Sequence, residues 1–131
     1  MIEKIFNKNK QIAIVVRDGF KSKGINFFTE NSMSLQLGYF FHKKGHKIKN
    51  HYHLNEIKII KKITEVLYVK KGELKIVFYT KKKVKILHKI LKKGDLIYIF
   101  DDAHEIFILK NSEIIEIKQG PYDHRKDKKL I

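Results

Sequence analysis

Gly45-His46-Lys47-Ile48-Lys49-Asn50-His51-Tyr52-His53, followed after a Lys/Ile-rich insert by Glu65-Val66-Leu67-Tyr68-Val69-Lys70-Lys71-Gly72, is the stretch on which the reading of this chain turns. His51 and His53 are two positions apart. Side chains of a strand alternate between its faces, so a strand over Ile48 to His53 projects both imidazoles to one side. Glu65 opens the next extended run, and a further histidine stands in Asp101-Asp102-Ala103-His104-Glu105. Three imidazoles and one carboxylate converging from neighbouring strands would suit a first-row divalent metal.

The pattern around this stretch is one of short apolar runs between turn signals. Gln11 to Arg17, Gly24 to Glu30, Met33 to Phe41, Val84 to Leu91, Leu96 to Phe100, His104 to Leu109 and Ile114 to Lys118 read as strands. Residues 1–10 read as a polar lead-in. Glu65 to Lys70 and Glu73 to Thr80 read as a hairpin about Lys71-Gly72, and Asn111-Ser112 as another turn. Leu54 to Thr64, with Ile57, Ile59, Ile60 and Ile63, fits neither the helical nor the strand period and reads as a basic loop of extended character. No segment keeps a helical period over three turns. Many short strands at this spacing predict an all-β sandwich or barrel, in a single domain spanning residues 1–131.

Composition narrows the function. Apolar residues make up 43% and charged residues 33% of the chain, a globular balance. Cysteine is absent, which excludes disulfides, thiolate chemistry and Cys-ligated metals. The N-terminus has no apolar core of signal-peptide length and no window approaches a membrane span, so the expectation is a soluble cytoplasmic protein. The formal net charge is +15. Of 29 basic residues only Arg17 and Arg125 are arginine, the residue suited to bidentate phosphate and base-edge contacts, and the lysines are spread along the chain. Nucleic acid is therefore discounted as a partner, in favour of a basic rim around a pocket for an anionic small molecule.

These residues resemble the motifs of the cupin superfamily. Five residues separate Gly45 from His51, His51-Tyr52-His53 supplies a His-x-His, and six residues separate Glu65 from Gly72. Gly94 followed by His104 resembles the family's second motif. The resemblance covers residues 33–118. The eleven residues between His53 and Glu65 exceed the family's usual interval; Glu56 lies nearer, but no glycine stands seven positions after it, so Glu65 is preferred. The second motif lacks its Pro-x-Gly, and Ile108 stands where an asparagine is usual. The resemblance implies a double-stranded β-helix, the cupin jelly-roll barrel. It also implies a homodimer and a divalent transition metal (Fe, Ni, Zn or Mn) held by His51, His53, Glu65 and His104. The Lys-Gln-Gly-Pro-Tyr stretch near the end resembles small cupins of surface-polysaccharide and nucleotide-sugar pathways. That implies a carbohydrate-like substrate, with His51 or His53 as acid or base and the lysines holding a nucleotide diphosphate. Metal-dependent isomerisation and oxygenation both fit. A non-catalytic sugar-binding module and a metal-independent isomerase or epimerase with a histidine base stand as alternatives.

Overall fold

The structure, a computed structural model, describes residues 1–131. It forms eight strands and no helix: β1 (Ile2–Asn7), β2 (Lys10–Val16), β3 (Gly24–Phe27), β4 (Gly38–Phe41), β5 (Glu65–Tyr79), β6 (Lys85–Lys92), β7 (Leu96–Ile99) and β8 (Ala103–Lys118). The all-β expectation holds. No helix is long and apolar enough to cross a membrane. The chain divides into two compact units, residues 1–20 with 62–131, and residues 21–61.

The first unit is one antiparallel sheet. Its path runs β1-β2-β7-β5-β6, with β8 on the other edge of β5. β5 is the centre: β7 pairs its first half, β6 its second half, and β8 follows it along its whole length. Lys71-Gly72 is not the hairpin turn that the sequence suggested. Gly72 has φ +95° and the β5–β8 ladder shifts register around it, so the strand bulges and continues. Asn111-Ser112 likewise lies inside β8 rather than between two strands. Gly94, at φ +88°, makes the matching break between β6 and β7. There Val69 N–H donates to Asp95 O and Gly94 N–H donates to Val69 O, so pairing with β5 persists through the break. Three neighbouring strands thus bend along one line.

The bend curls the sheet. Glu65 begins β5 and His104 lies opposite Phe78, thirteen residues further along it. Fully extended, that length spans roughly 43 Å. The two side chains are instead 2.5 Å apart. The first unit is therefore a sheet curled toward a half-barrel, with its apolar face inside. Ile5, Leu67, Leu74, Phe78, Leu91 and Ile97 belong to one buried cluster; each such side chain contributes about 1.5–3 kcal/mol of transfer free energy. Ion pairs close the far side: Lys89 Nζ lies 2.8 Å from Glu3 Oε1, Arg17 binds Glu3, and Arg17 Nη1 donates to Ile90 O at 2.6 Å. Residues 2–7 are no lead-in. Ile2 to Asn7 pairs with β2, because a short apolar–polar alternation suffices when β2 offers a free edge.

The second unit is smaller. β3 and β4 pair from Gly24 opposite Phe41 to Phe27 opposite Gly38. The Phe27 ring lies over Gly38, where a Cβ would come within 2.9 Å of it. Gln36 Nε2 donates to Glu30 O (2.9 Å) and Met33 O (2.7 Å), fastening the connecting loop. The expected strands over Gly24–Glu30 and Met33–Phe41 shorten to these four-residue pieces. The expected strand over Ile48 to His53 does not form. Every residue from 43 to 63 is exposed, and no ladder partner stands beside it to satisfy a strand's backbone groups.

Candidate active site on the inner face

Register decides which side chains meet. Ala13, Ile99, Glu65 and Lys118 form one row across β2, β7, β5 and β8. Val15, Ile97, Leu67 and Glu116 form the next row on the same face. The apolar stripe of β2 and β7 thus ends in charged residues on β5 and β8. His104 enters from the other arm of the curl, opposite core residue Phe78.

His104 Nε2 and Glu65 Oε1 are 2.5 Å apart, and both side chains are mostly buried. This contact assigns the imidazole proton to Nε2 when the ring is neutral. Nδ1 is buried and has no hydrogen-bond partner. The hydrogen bond from His104 is the main reason the Glu65 carboxyl falls to about 2, despite burial working against it. Glu116 responds the other way. Its hydrogen bond with Glu65 and its burial raise it above the ordinary carboxylate value, while Lys118 pulls the other way. Lys118 Nζ completes the row, 3.4 Å from Glu116 Oε1 and 3.1 Å from Asp127 Oδ2.

The opposite face pins these strands in place. Thr64 N–H donates to Gln119 Oε1 at 2.9 Å, and Gln119 Nε2 donates to Thr64 Oγ1 at 2.8 Å. Thr64 Oγ1 lies 3.2 Å from the hydroxyl of Tyr98, which is fully buried. This ties the start of β5 to the end of β8 and fixes Glu65 against Lys118.

Around the dyad lies a cleft of about 1130 Å³, walled by Leu67, Ile99 and Ile106 and bordered by charged side chains. On its rim Lys10 and Lys62 both bind Asp101. Burial pushes the Asp101 carboxyl up, but the two lysines outweigh it and hold it well below the usual range. Lys81, Lys128 and Lys129 also line the cleft, and the C-terminal tail forms part of its wall. The arrangement places a carboxyl held low, a carboxyl held high and an imidazole along one half-apolar cleft, which is equipment for moving a proton on a polar ligand.

Of the four residues singled out from the sequence, the structure brings Glu65 and His104 together. His51 and His53 lie in the second unit, both exposed, with ring centroids 5.4 Å apart and His51 Nδ1 2.8 Å from Lys49 O. With no strand there, the same-face argument for the pair has nothing to rest on. Nearby, His42 and His46 stack at 3.9 Å. Glu56 is exposed in the second unit and pairs weakly with Lys58 at 3.8 Å. Within neither unit do three His, Asp or Glu side chains gather in an arrangement for a metal ion. Sequence reasoning missed Glu116 and Lys118. Their signal was the alternation Glu116-Ile117-Lys118, which puts both on one face.

Acid should weaken this protein. Glu65 and Glu3 both have folded-state values of about 2 against an ordinary 4.5; Glu3 is held down by hydrogen bonds from Arg17 and Lys89. Between those limits the unfolded chain binds more protons, so their stabilisation is complete above pH 4.5 and is lost as pH falls toward 2. Glu116 works in the opposite sense: its raised value favours the folded state at low pH and loses that contribution as pH rises through it. Urea unfolding followed from pH 6 to pH 2 is expected to show a falling midpoint over this window. In a Glu3→Gln/Glu65→Gln variant the curve flattens; an unchanged slope would remove these two groups as its cause.

No protein-family model, curated protein or solved structure matches the chain.

Proposed function

We propose that this chain is a small cupin-type barrel protein whose cleft takes a polar, carbohydrate-like small molecule. In this reading Glu65 and His104, with His51 and His53, hold a divalent transition metal. One observation carries the reading. Glu65 and His104, far apart in sequence and at opposite ends of the β5 ladder, meet on the inner face of a curled β-sheet. With Nε2 hydrogen-bonded to Glu65, the buried, unpartnered Nδ1 is the imidazole nitrogen free for such a donor set. When bound, the metal supplies Lewis acidity toward a carbonyl or hydroxyl, or a position for oxygen. The chain's own part is to exclude water with Leu67, Ile99 and Ile106 and to present Glu116 as a proton donor. Lys81, Lys128 and Lys129 meet an anionic portion of the ligand such as a nucleotide diphosphate. A sugar isomerase or an oxygenase is the corresponding enzyme class; a binding module with the same cleft lacks turnover.

A second reading has its own support. Glu65 is pushed down and Glu116 up, so Glu116 is the carboxyl able to exchange a proton without a metal, beside the fixed negative charge of Glu65. That is the pattern of a metal-free isomerase or epimerase.

Metal content decides between them. The purified protein, incubated with iron(II), nickel, zinc or manganese and dialysed, is expected to retain close to one equivalent of one of them. A His104→Ala variant with wild-type circular dichroism is expected to lose at least about tenfold in affinity, since losing even an outer-sphere partner costs that much. No retention by the wild type ends the metal reading and leaves the carboxyl pair. Nucleotide-sugars would then be screened for proton exchange with solvent, with Glu116→Gln as the inactive control.

A further inference from the structure

Residues 47–61 of the second unit lie in no strand or turn, and every one of them is exposed. Their composition does not suit exposure. Ile48 is 55%, Tyr52 84%, Leu54 80%, Ile57 97%, Ile59 82% and Ile60 40% exposed, six large apolar side chains within thirteen residues. Single apolar residues on a surface are ordinary; a cluster of them marks a surface that something else covers. β3 and β4, the only strands of that unit, pair with each other and lend the segment no ladder.

Charge and side-chain chemistry select what covers it. The same stretch carries Lys47, Lys49, Lys58 and Lys61 against one acid, Glu56. Lysine is depleted from the cores of protein–protein interfaces, because its compact ammonium group is strongly hydrated. Four lysines threaded among the apolar residues therefore speak against a protein partner. Nucleic acid is held by arginine forks and by aromatic rings that stack on bases. The segment has no arginine, Tyr52 is its only Phe, Tyr or Trp, and its aliphatic side chains give a base nothing to stack on.

An anionic bilayer calls for the two ingredients that are present. Aliphatic side chains leave water at the boundary between headgroups and acyl chains, and lysines meet the phosphates. A lysine stem lies along apolar surface while its ammonium reaches outward. Ile57-Lys58-Ile59-Ile60-Lys61 sets the two kinds side by side.

We infer that residues 47–61 form a membrane-surface loop that docks the protein on an anionic lipid bilayer. Leu54, Ile57 and Ile59, its most exposed aliphatic side chains, enter the acyl boundary. The backbone stays at headgroup level, where water still satisfies it, since irregular backbone is not tolerated in the hydrocarbon itself. The net charge of +15 draws the protein toward such a surface before contact. This docking is separate from the chemistry of the inner-face cleft.

The chain has no tryptophan, so Leu54→Trp supplies a single reporter. In the free protein its emission should be that of an indole in water. Vesicles of phosphatidylcholine mixed with phosphatidylglycerol should shift that emission to the blue and should sediment the wild type. Pure phosphatidylcholine should do neither. Ile57→Ser/Ile59→Ser is expected to weaken vesicle binding by about tenfold or more. Lys58→Gln/Lys61→Gln is expected to do the same, each lysine near an anionic surface being worth roughly fivefold. Lys82→Gln/Lys93→Gln makes the same charge change at two exposed lysines of the first unit, and should cost no more than about twofold. All these side chains are exposed, so circular dichroism should stay that of the wild type.

Emission already blue in the free protein overturns the inference, since a protein surface then covers the segment. So does failure to sediment with the mixed vesicles, or equal binding to pure phosphatidylcholine. So does sedimentation without a shift of the Leu54→Trp emission, which leaves the loop outside the bilayer. Unaltered binding by Ile57→Ser/Ile59→Ser also overturns it, as does a loss from Lys82→Gln/Lys93→Gln equal to that from Lys58→Gln/Lys61→Gln, the mark of unspecific adsorption.

Discussion

Replacing Gly72 with alanine is expected to destabilise the protein by about 3 kcal/mol or more, combining the cost of an L-residue at positive φ with overpacking. At this chain length that lowers the melting temperature by roughly 10 °C. Gly72 sits at φ +95°, and a Cβ there would lie 2.1 Å from Ser112 Oγ, 2.4 Å from Asn111 O and 2.6 Å from Ser112 Cα. Two of those three atoms cannot swing away, because they belong to the backbone of β8. Either β8 must shift or the bend must open, and the bend is what brings Glu65 to His104. Gly45 gives the control. It too has positive φ (+93°), but a Cβ there meets nothing within 4 Å, so Gly45→Ala should cost only about 1 kcal/mol. A Ser112→Ala change added to Gly72→Ala should recover little. Full recovery in thermal unfolding would show that the hydroxyl alone, and not the strand crossing, set the constraint.

Asp95→Ala is expected to cost about 3–5 kcal/mol, the range for removing one partner of a buried, hydrogen-bonded charge pair. Asp95 is 5% exposed. Its carboxylate accepts from Arg17 Nη1 at 2.9 Å, Asp18 N–H at 3.0 Å and Lys92 N–H at 2.8 Å. Alanine strands two backbone donors and takes from Arg17 one of its two carboxylates, Glu3 being the other. Asp95→Asn keeps an accepting oxygen and should lose less. Urea denaturation with an unchanged slope and a lower midpoint would fit; a midpoint within experimental error of wild type would show that water replaces the carboxylate at no cost.

Much of the sheet was legible because its signals are local. Apolar runs bounded by turn residues located β2, β6 and β7 to within a residue or two. The gap between the strands read over Val84 to Leu91 and Leu96 to Phe100 marked the break before β7, where Gly94 lies. What failed depended on distant partners. A glycine at positive φ serves a hairpin and a bulge equally, and only the continuous β8 ladder shows that Gly72 is a bulge. Asn111-Ser112 was misread for the same reason from the other side. Ile2 to Asn7 is too polar to announce a strand until β2 lies beside it. Ile48 to His53 has the composition of a strand and lacks the neighbour.

The candidate site divides along the same line. Glu65 and His104 could be found because motif spacing marks positions, and motif positions survive ignorance of register. Glu116 and Lys118 could not, since polar residues alternating with isoleucine describe any half-exposed strand. Only the curl turns that polar face inward, beside Glu65.

β2 and β5 both run antiparallel to β7, on its opposite edges, and are therefore parallel to each other. Parallel strands of one sheet cannot be joined by a tight turn; they need a crossover of a dozen residues or more. The linker from Arg17 to Thr64 is that crossover, and it is several times longer than the sheet requires. The second unit is thus an elaboration of one obligatory connection. A redesigned chain that bridges β2 to β5 with a minimal crossover would keep every ladder of the curled sheet, and would separate what that sheet does alone from what the inserted residues contribute.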